Sequence, residues 1–526
     1  MLTRAGLIRR VGWSALPFHP FLIAASPALY LFVENAIQQV TLDPLWGPLG
    51  ASLVVAAGTL LGCITLLRDR YRGALLASVL LGIFFLFGHV WRLREPSIEI
   101  RDLLISATAC LTVLAVMLVW RASELLGGRW VVPANRFLNL ASAFVVAFNL
   151  VQVIGFAAGI EAVLPGETAV VRGARDLGHR PDIYYIILDR YANSETLDRF
   201  FDFDNEPFLG QLEQRGFSVA RDSWANYFKT AFSLVSSLSM DYLDGEALRD
   251  GPPQTFGPIH SALRDHLAVP ATLRSLGYEY VHIGNYWEPS ATNVDADRVL
   301  RFSEGDEFRS ALVDGTLLSM LTPSDAADED PETTDFPLLA RSHTLFAFER
   351  LEDASHRPGP TFVFAHILVP HPPYVFDVDG TLPTNEERDE RSSKEEYVRQ
   401  LRWANQRVLR AIDVLLDVPA GDPEPVIILQ ADEGPFPSRF ASNEHGFNWL
   451  KATPDEIQKK FGILNAYHLP GVDLAKLGFY DRISPVNAFR IVFNAYFGAD
   501  LPLLPDTTYL SPDYDHAYDF VEYPRR

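Results

Sequence analysis

The sequence predicts two parts: an α-helical transmembrane bundle of about five spans, and a water-soluble α/β domain with a mainly parallel central sheet. Three observations lead there. Five apolar stretches of roughly bilayer-spanning length crowd the first 160 residues. Further on, short runs that read as buried strands alternate with helical patterns, the signature of a parallel sheet covered on both faces. Charge divides the chain at the same place: before position 161 there are 12 Arg, no Lys and 7 acidic residues, a balance of +5, and the remainder carries −26. The expected organisation is therefore a bundle over 1–160, a connector over 161–180 and a soluble domain over 181–526.

The spans read as about 17–32, 49–67, 74–90, 103–120 and 137–160, each flanked by charge or by Pro and Gly. Buried helices of a soluble protein would not repeat nearly 20-residue apolar runs five times, and a single cleaved signal peptide accounts for only one. Arginine sets the orientation. Arg4, Arg9 and Arg10 precede the first span, Arg68, Arg70 and Arg72 follow the second, and Arg121, Arg129 and Arg136 follow the fourth. By the positive-inside rule these segments face the cytoplasm, although Arg92, Arg94 and Arg101 lie after the third span. The expectation is a multi-pass cell-membrane protein with its N-terminus cytoplasmic, its C-terminal domain extracytoplasmic and the lipid bilayer as partner. His19, Glu34, Asn149 and Gln152 are polar residues in or beside the spans. His19 and Glu34, near span ends, are expected at the interface, and the others in packing contacts or a headgroup pocket.

Composition excludes several classes. The two cysteines, Cys63 and Cys110, both lie in apolar runs, so the soluble part has no disulfide, no Cys-based zinc site and no cysteine nucleophile. Its acidity disfavours nucleic acid, whose phosphates need clustered Lys and Arg. Five spans without a paired repeat do not suggest a transporter.

After the Gly-containing connector, the run Ile183 to Leu188 ends at Asp189. Thr361 to Ala365 leads into His366, and Val426 to Leu429 leads through Gln430 and Ala431 to Asp432, Glu433 and Gly434. Helical patterns over Glu206 to Arg215 and Glu395 to Leu416 lie between, and the charged segments 325–335 and 377–394 read as exposed loops. Ligands of such sheets bind beyond the carboxyl ends of the strands. There, Asp189 and Asp432 would meet at one edge as hard oxygen ligands for Mg²⁺, Mn²⁺ or Ca²⁺; singly, each also reads as a solvated residue opening a loop. In Asn226-Tyr227-Phe228-Lys229-Thr230, Thr230 opens a helix either as an N-cap or as a metal-activated alkoxide, with Lys229 and the helix terminus steadying an anion. His366 and His371 flank a Pro-stiffened loop that presents imidazole to an anion or bonds to itself, and His445 and His468 lie on looser segments.

Taken in order, Ile-Ile-Leu-Asp189, Asn-Tyr-x-x-Thr230, His366-Ile-Leu-Val-Pro-His371-Pro-Pro and Gln-Ala-Asp432-Glu433-Gly434 resemble the sulfatase branch of the alkaline phosphatase superfamily. The layout is similar to the lipoteichoic acid synthase-like and phosphoethanolamine transferase-like membrane enzymes. The resemblance implies an alkaline phosphatase-like domain over about 181–498 in which Asp189 and Asp432 ligate a divalent metal. It also implies that Thr230 is the nucleophile that becomes transiently esterified, and that His371 holds the transferred phosphoryl oxygens. Thr230 and Glu433 are assigned to the metal with the two aspartates. His371, His366, Lys229, His445 and His468 are assigned to the substrate. Mn²⁺ or Mg²⁺ is expected ahead of Ca²⁺ or Zn²⁺.

Two departures shape the functional expectation. Glu433 stands where the family has His in Asp-His-Gly, and no Cys/Ser-x-Pro-x-Arg motif of formylglycine sulfatases occurs. Phosphoryl-type transfer or hydrolysis on envelope lipid headgroups or glycans is therefore preferred over sulfate-ester cleavage. The alternative is a catalytically inactive sulfatase-fold envelope protein that binds a glycan or partner.

Overall fold

The computed structural model describes residues 16–34, 42–91, 129–161, 171, 173–175, 178, 180–243, 256–265, 267–302, 312–313, 316, 336–355 and 359–525. Most fall into two compact units, one ending at Ala157 and the other covering Ala158–Glu304 and Asp335–Arg526.

The first unit is helical: His19–Glu34, Asp43–Leu67 and Arg70–Trp91, with Val131–Glu161 following. Two stretches are long and apolar enough to cross a membrane, Leu45–Leu67 and Val131–Ile154, each with mean hydropathy 2.0. The expectation of five spans is corrected to two among the described residues. The stretch 17–32 falls in a helix of 16 residues, short of the roughly 20 a bilayer needs. The stretch 74–90 lies in a helix that opens on Arg70 and Arg72, and 103–120 lies outside the described residues.

Asp69 ends one helix pair and starts the next, its Oδ1 accepting from the amides of Tyr71 at 2.8 Å and Arg72 at 2.9 Å. Gly73 lets the second helix close on the first, because a Cβ there would lie 2.8 Å from the backbone of Ile64.

His19, at the start of its helix, is fully buried within the protein, with Nδ1 2.6 Å from Ser78 Oγ and Nε2 2.9 Å from Asn135 Oδ1. Asn139 caps the same helix start, accepting from the amides of Phe18 and His19 and donating to the Leu16 carbonyl. An imidazole away from water needs partners at both nitrogens, and two other helices supply them. Asn149 bonds within its own helix to the Val145 carbonyl, whereas Gln152 is exposed. The side chain of Glu34 lies outside the described residues.

The second unit is built on a seven-stranded sheet ordered β2-β7-β6-β1-β5-β3-β4. Its strands are β1 Ile183–Leu188, β2 Ser218–Val219, β3 Glu279–Ile283, β4 Arg298–Leu300, β5 Thr361–Ile367, β6 Val426–Gln430 and β7 Asn465–His468. Strand β1 runs parallel to β5 and β6, β3 runs parallel to β4 and β5, and β7 pairs antiparallel with both β6 and β2. The expected mainly parallel sheet is therefore present.

Every residue of β1, β5 and β6 is buried. Such continuous Ile, Val, Tyr and Phe runs are what a sheet covered on both faces requires. Helices Glu206–Gln214 and Ser393–Leu416 occupy the segments where the periodicity places them. The segment 377–394 is not simply an exposed loop: Asp377 is buried, and Thr384 and Glu387 form a capping box that starts the short helix Asn385–Glu390. The segment 325–335 lies outside the described residues. Strands β8 Thr508–Leu510 and β9 Val521–Tyr523 form a separate antiparallel pair.

On β3, His282 is buried beside the centre of the sheet. The Tyr280 hydroxyl lies 3.1 Å from its Nδ1, and the Ser290 carbonyl lies 2.9 Å from Nε2. Burial lowers its pKa to about 4 from 6.5, with the Ser290 bond opposing. Between those values the unfolded chain binds a proton that the folded chain does not, so stability rises with pH across the window and falls as acid is added. The contribution is up to about 3 kcal/mol. Denaturant unfolding of the full chain in detergent should weaken between pH 6.5 and 4, and His282→Gln should flatten that slope; an unchanged slope would place the acid sensitivity elsewhere.

Candidate metal and phosphoryl-transfer centre

Because β1 and β6 are direct parallel neighbours, the residues that follow them, Asp189 and Asp432, emerge side by side. His366 faces Ile187 in the β1 and β5 register, one residue before the end of β5. Single ligand atoms from Asp189, His366 and Asp432 all lie within 4.8 Å of one another, and all three side chains are buried. His366 Nε2 is 3.5 Å from Asp189 Oδ2. Three buried atoms here, Asp189 Oδ1, Asp432 Oδ2 and His366 Nε2, have no hydrogen-bond partner. Orphaned polar atoms of this kind are costly. Two carboxylate oxygens and an imidazole nitrogen converging on one point fit a divalent cation.

The electrostatics agree. Burial opposes ionisation of Asp189, but His371, His366 and Arg190 outweigh it and hold the carboxyl well below its usual range. Burial, Asp189 and Glu433 push Asp432 well above it. Two neighbouring buried carboxylates separate their pKa values in this way when no cation lies between them.

Thr230 is the first residue of helix Thr230–Ser239, so Lys229 and not Thr230 is the N-cap, and the Lys229 side chain makes no capping bond. The Thr230 side chain lies close enough to Asp432 to oppose the rise in its pKa. The segment before it is anchored by its own Asn and Tyr. Asn226 donates to Ser484 Oγ at 3.0 Å and the Thr507 carbonyl at 2.9 Å, and the Tyr227 hydroxyl accepts from the Leu243 amide at 2.8 Å. These two residues fix where the helix begins, and thereby where the Thr230 hydroxyl points.

Glu433 is engaged elsewhere. Its Oε1 lies 2.7 Å from Lys460 Nζ and 3.3 Å from Arg190 Nε, and Lys460 is fully buried. Burial lowers the Lys460 pKa to about 8, against the opposing attraction of Glu433. Arg190 reaches this position because its backbone is left-handed, at φ 62, which costs roughly 1–3 kcal/mol in a non-glycine residue. Its amide donates to Asp432 Oδ1 at 3.2 Å, and its guanidinium lies over the Phe436 ring. The following Gly434 donates to the Lys460 carbonyl at 2.6 Å, and a Cβ there would meet the Lys459 carbonyl at 2.4 Å, so no other residue fits.

The histidines separate. Burial and Arg190 lower the His371 pKa to about 4, with Asp189 opposing, and the ring's Nδ1 bonds the Pro372 carbonyl. Gln400 holds this loop by donating to the His371 carbonyl at 2.9 Å and accepting from the amides of Val375 and Phe376. Lys229 is paired with Glu444 at 2.7 Å, and Tyr514 also donates to Glu444. Burial raises the Glu444 pKa, but Lys229 and Tyr514 outweigh it and bring it down to about 2. His445 is exposed, with its ring against Tyr514.

His468 lies away from the carboxylates. It ends the antiparallel β7 opposite Ile427, five residues before Asp432 on β6, roughly 16 Å at about 3.3 Å per residue. Its Nδ1 is 3.0 Å from the Pro425 carbonyl. The reversed strand explains the separation: its carboxyl end lies at the other edge of the sheet.

Four residues that sequence reasoning missed surround the cluster: Arg190, Lys460, Asn285 and Ser290. Arg190 follows Asp189 directly, and Asn285 follows a β-rich run at a Gly, so the strand-end rule applied to β3 would have singled out the latter. Lys460 sits on helix Pro454–Phe461, and no local pattern marks it.

No family model and no curated protein matches the chain. Solved structures do resemble it. One is the C-terminal periplasmic domain of EcEptC from Escherichia coli in complex with Zn, at 12% identity and TM-score 0.42, covering 66% of this chain and 97% of that one. A second is the integral membrane protein lipooligosaccharide phosphoethanolamine transferase A (EptA) from Neisseria meningitidis, at 12% and 0.41, covering 91% of this chain and 96% of that one. A third is the lipoteichoic acid synthase LtaP from Listeria monocytogenes, at 13% and 0.38, covering 65% and 82%. These are the kinds of enzyme that the ordered motifs resemble.

Lys460→Met removes the ammonium and leaves Glu433 buried with Arg190 alone, which should destabilise the protein by about 3–5 kcal/mol. Adding Glu433→Gln should recover part of that loss. Urea unfolding followed by tryptophan fluorescence measures both, and a single-variant effect within about 0.5 kcal/mol of wild type would show that the pair is not holding the loop.

Proposed function

We propose that this chain is a membrane-bound, metal-dependent phosphoryl-type transferase acting on envelope lipid headgroups, with Thr230 as nucleophile and its α/β domain outside the cytoplasmic membrane. The observation that carries the reading is the convergence of orphaned atoms of Asp189, Asp432 and His366 on one point, with Thr230 close enough to Asp432 to bear on its charge. A Thr nucleophile and a divalent-cation site placed together divide one difficult displacement into two easier ones.

Asp189, Asp432 and His366, with Thr230, are the groups that would hold the ion. It would lower the pKa of the Thr230 hydroxyl and offset charge on the phosphoryl oxygens.

The remaining steps belong to the protein. The Thr230 Oγ attacks phosphorus and forms a P–O bond while the bond to the leaving alcohol breaks. The Thr230 hydroxyl gives up its proton as its oxygen attacks, and the leaving alcohol takes up a proton as it departs. His371 is neutral at pH 7 when no anion is near, and an approaching phosphate favours its protonated form, which can donate through Nε2 to a phosphoryl oxygen. Arg190 and Lys460 keep the field positive on that side, and the Thr230 helix N-terminus adds its own partial charge. An acceptor hydroxyl then attacks the phospho-threonine, restoring Thr230 and taking the substituent. The membrane helices would deliver the lipid to a domain outside the cytoplasmic membrane.

Thr230→Ala should lower turnover roughly 10³-fold or more while leaving metal bound, and Asp432→Ala should lose both. The assay is full-length protein in mixed micelles with phosphatidylethanolamine or phosphatidylglycerol as donor, read by headgroup release and by intact-mass detection of a phospho-adduct on Thr230. Full turnover by Thr230→Ala would remove the nucleophile from this scheme.

A further inference from the structure

The residue after the second aspartate lies outside the group of converging atoms, and a different residue occupies the remaining side of the cluster. Glu433 gives Oε1 to Lys460 and Arg190, and although its Oε2 has no hydrogen-bond partner, neither oxygen joins the atoms that converge on one point. His366 does, through an Nε2 without a hydrogen-bond partner.

Ser290 and Asn285 hold His366 from behind. Its Nδ1 lies 2.9 Å from Ser290 Oγ and 3.3 Å from Asn285 Nδ2, and Ser290 Oγ lies 3.2 Å from Asn285 Oδ1. Asn285 Nδ2 donates to the His366 carbonyl at 2.8 Å and to Ser290 Oγ at 2.9 Å. With the proton on Nδ1, every donor of the trio has an acceptor: Nδ1–H to Ser290, the Ser290 hydroxyl to Asn285, and the Asn285 amide to Ser290 and the His366 carbonyl. With the proton on Nε2, the nearest anionic oxygen, on Asp189, is 3.5 Å away, too far for a hydrogen bond of ordinary strength. The Nδ1–H tautomer is the one that leaves Nε2 with a bare lone pair facing the carboxylates, the form an imidazole ligand requires.

Local backbone builds the trio. Gly284 packs against the Ala291 carbonyl, where a Cβ would stand 2.1 Å away, so the turn after β3 folds back and brings Ser290 onto Asn285.

We infer that His366, through Nε2, completes the Asp189 and Asp432 cation site in place of Glu433, and that Ser290 and Asn285 are positioning residues that fix its tautomer. The inference rests on the metal-dependent reading above, and it moves the nitrogen ligand from the loop after β6 to the end of β5.

The test uses full-length protein in detergent, Mn²⁺ as the probe and ¹⁵N-histidine labelling. Electron spin-echo spectroscopy of bound Mn²⁺ should show coupling to one histidine nitrogen in wild type and in Glu433→Gln, and no such coupling in His366→Gln. Calorimetric Mn²⁺ affinity should fall about tenfold or more in His366→Gln and in Ser290→Ala, recover in Ser290→Thr, and stay within about twofold in Glu433→Gln. Unchanged melting temperatures for the Ser290 variants would separate positioning from folding. Persistent nitrogen coupling in His366→Gln, or bound Mn²⁺ lacking nitrogen coupling in wild type, would overturn the assignment while sparing the metal reading. A wild type that binds no Mn²⁺ would overturn both.

Discussion

Two carboxylates buried side by side at the ends of adjacent parallel strands create a demand for positive charge, and much of the surrounding structure answers it. Asp189 and Asp432 are 3% and 2% exposed, so water cannot screen them. The chain places Arg190, Lys460, His366 and His371 around them, and it accepts a left-handed backbone at Arg190 to do so. The same demand drives the two pKa values apart, down for Asp189 and up for Asp432. A cation between the two carboxylates would meet that demand directly.

The Glu433 position shows how one substitution relative to a family pattern spreads through a structure. A carboxylate buried beside two others would be strongly repelled without a partner of its own. Lys460 supplies it from helix Pro454–Phe461, whose last turn is brought close by the glycine at 434. The substitution therefore involves at least three further features: a buried lysine, an arginine turned back over Phe436, and a glycine with no room for a Cβ. This interlocking argues for a stable structural element in which Glu433 balances cations.

Legibility in the sequence followed the range of the forces involved. Strands β1, β5 and β6 were readable because burial on both faces makes each a continuous apolar run, and Asp189, His366 and Asp432 were readable because they end those runs. Helix Ser393–Leu416 was readable from periodicity and its Ser392 to Glu395 box. Strand β7 and His468 were not, since a four-residue strand carries no mark of its direction, and direction alone puts that histidine at the far edge. Lys460, Asn285 and Ser290 were hidden for a related reason. Their roles arise from contacts between segments distant in sequence, such as the 2.9 Å approach of Ser290 to His366 across 76 positions. The partners of His19 were hidden in the same way, because Ser78 and Asn135 lie on other helices.

The separation of the cluster into two kinds of side chain gives the chemistry its logic. Asp189 and His366 are held from behind, Asp189 by its strand end and His366 by Ser290, so their free atoms are fixed in direction before any ligand arrives. Thr230 and His371 sit at the edges, on a helix start anchored by Asn226 and on a loop anchored by Gln400. Both are partly exposed, as the roles proposed for them require. Preorganised groups inside and accessible groups at the rim keep the cost of ordering the site out of the reaction step, which is how a fixed field of charges lowers a barrier. Lys229, by contrast, is already committed to Glu444 and Tyr514. Its part is to anchor the 444–446 loop against the start of the Thr230 helix, and the anion is left to Arg190, His371 and the helix terminus.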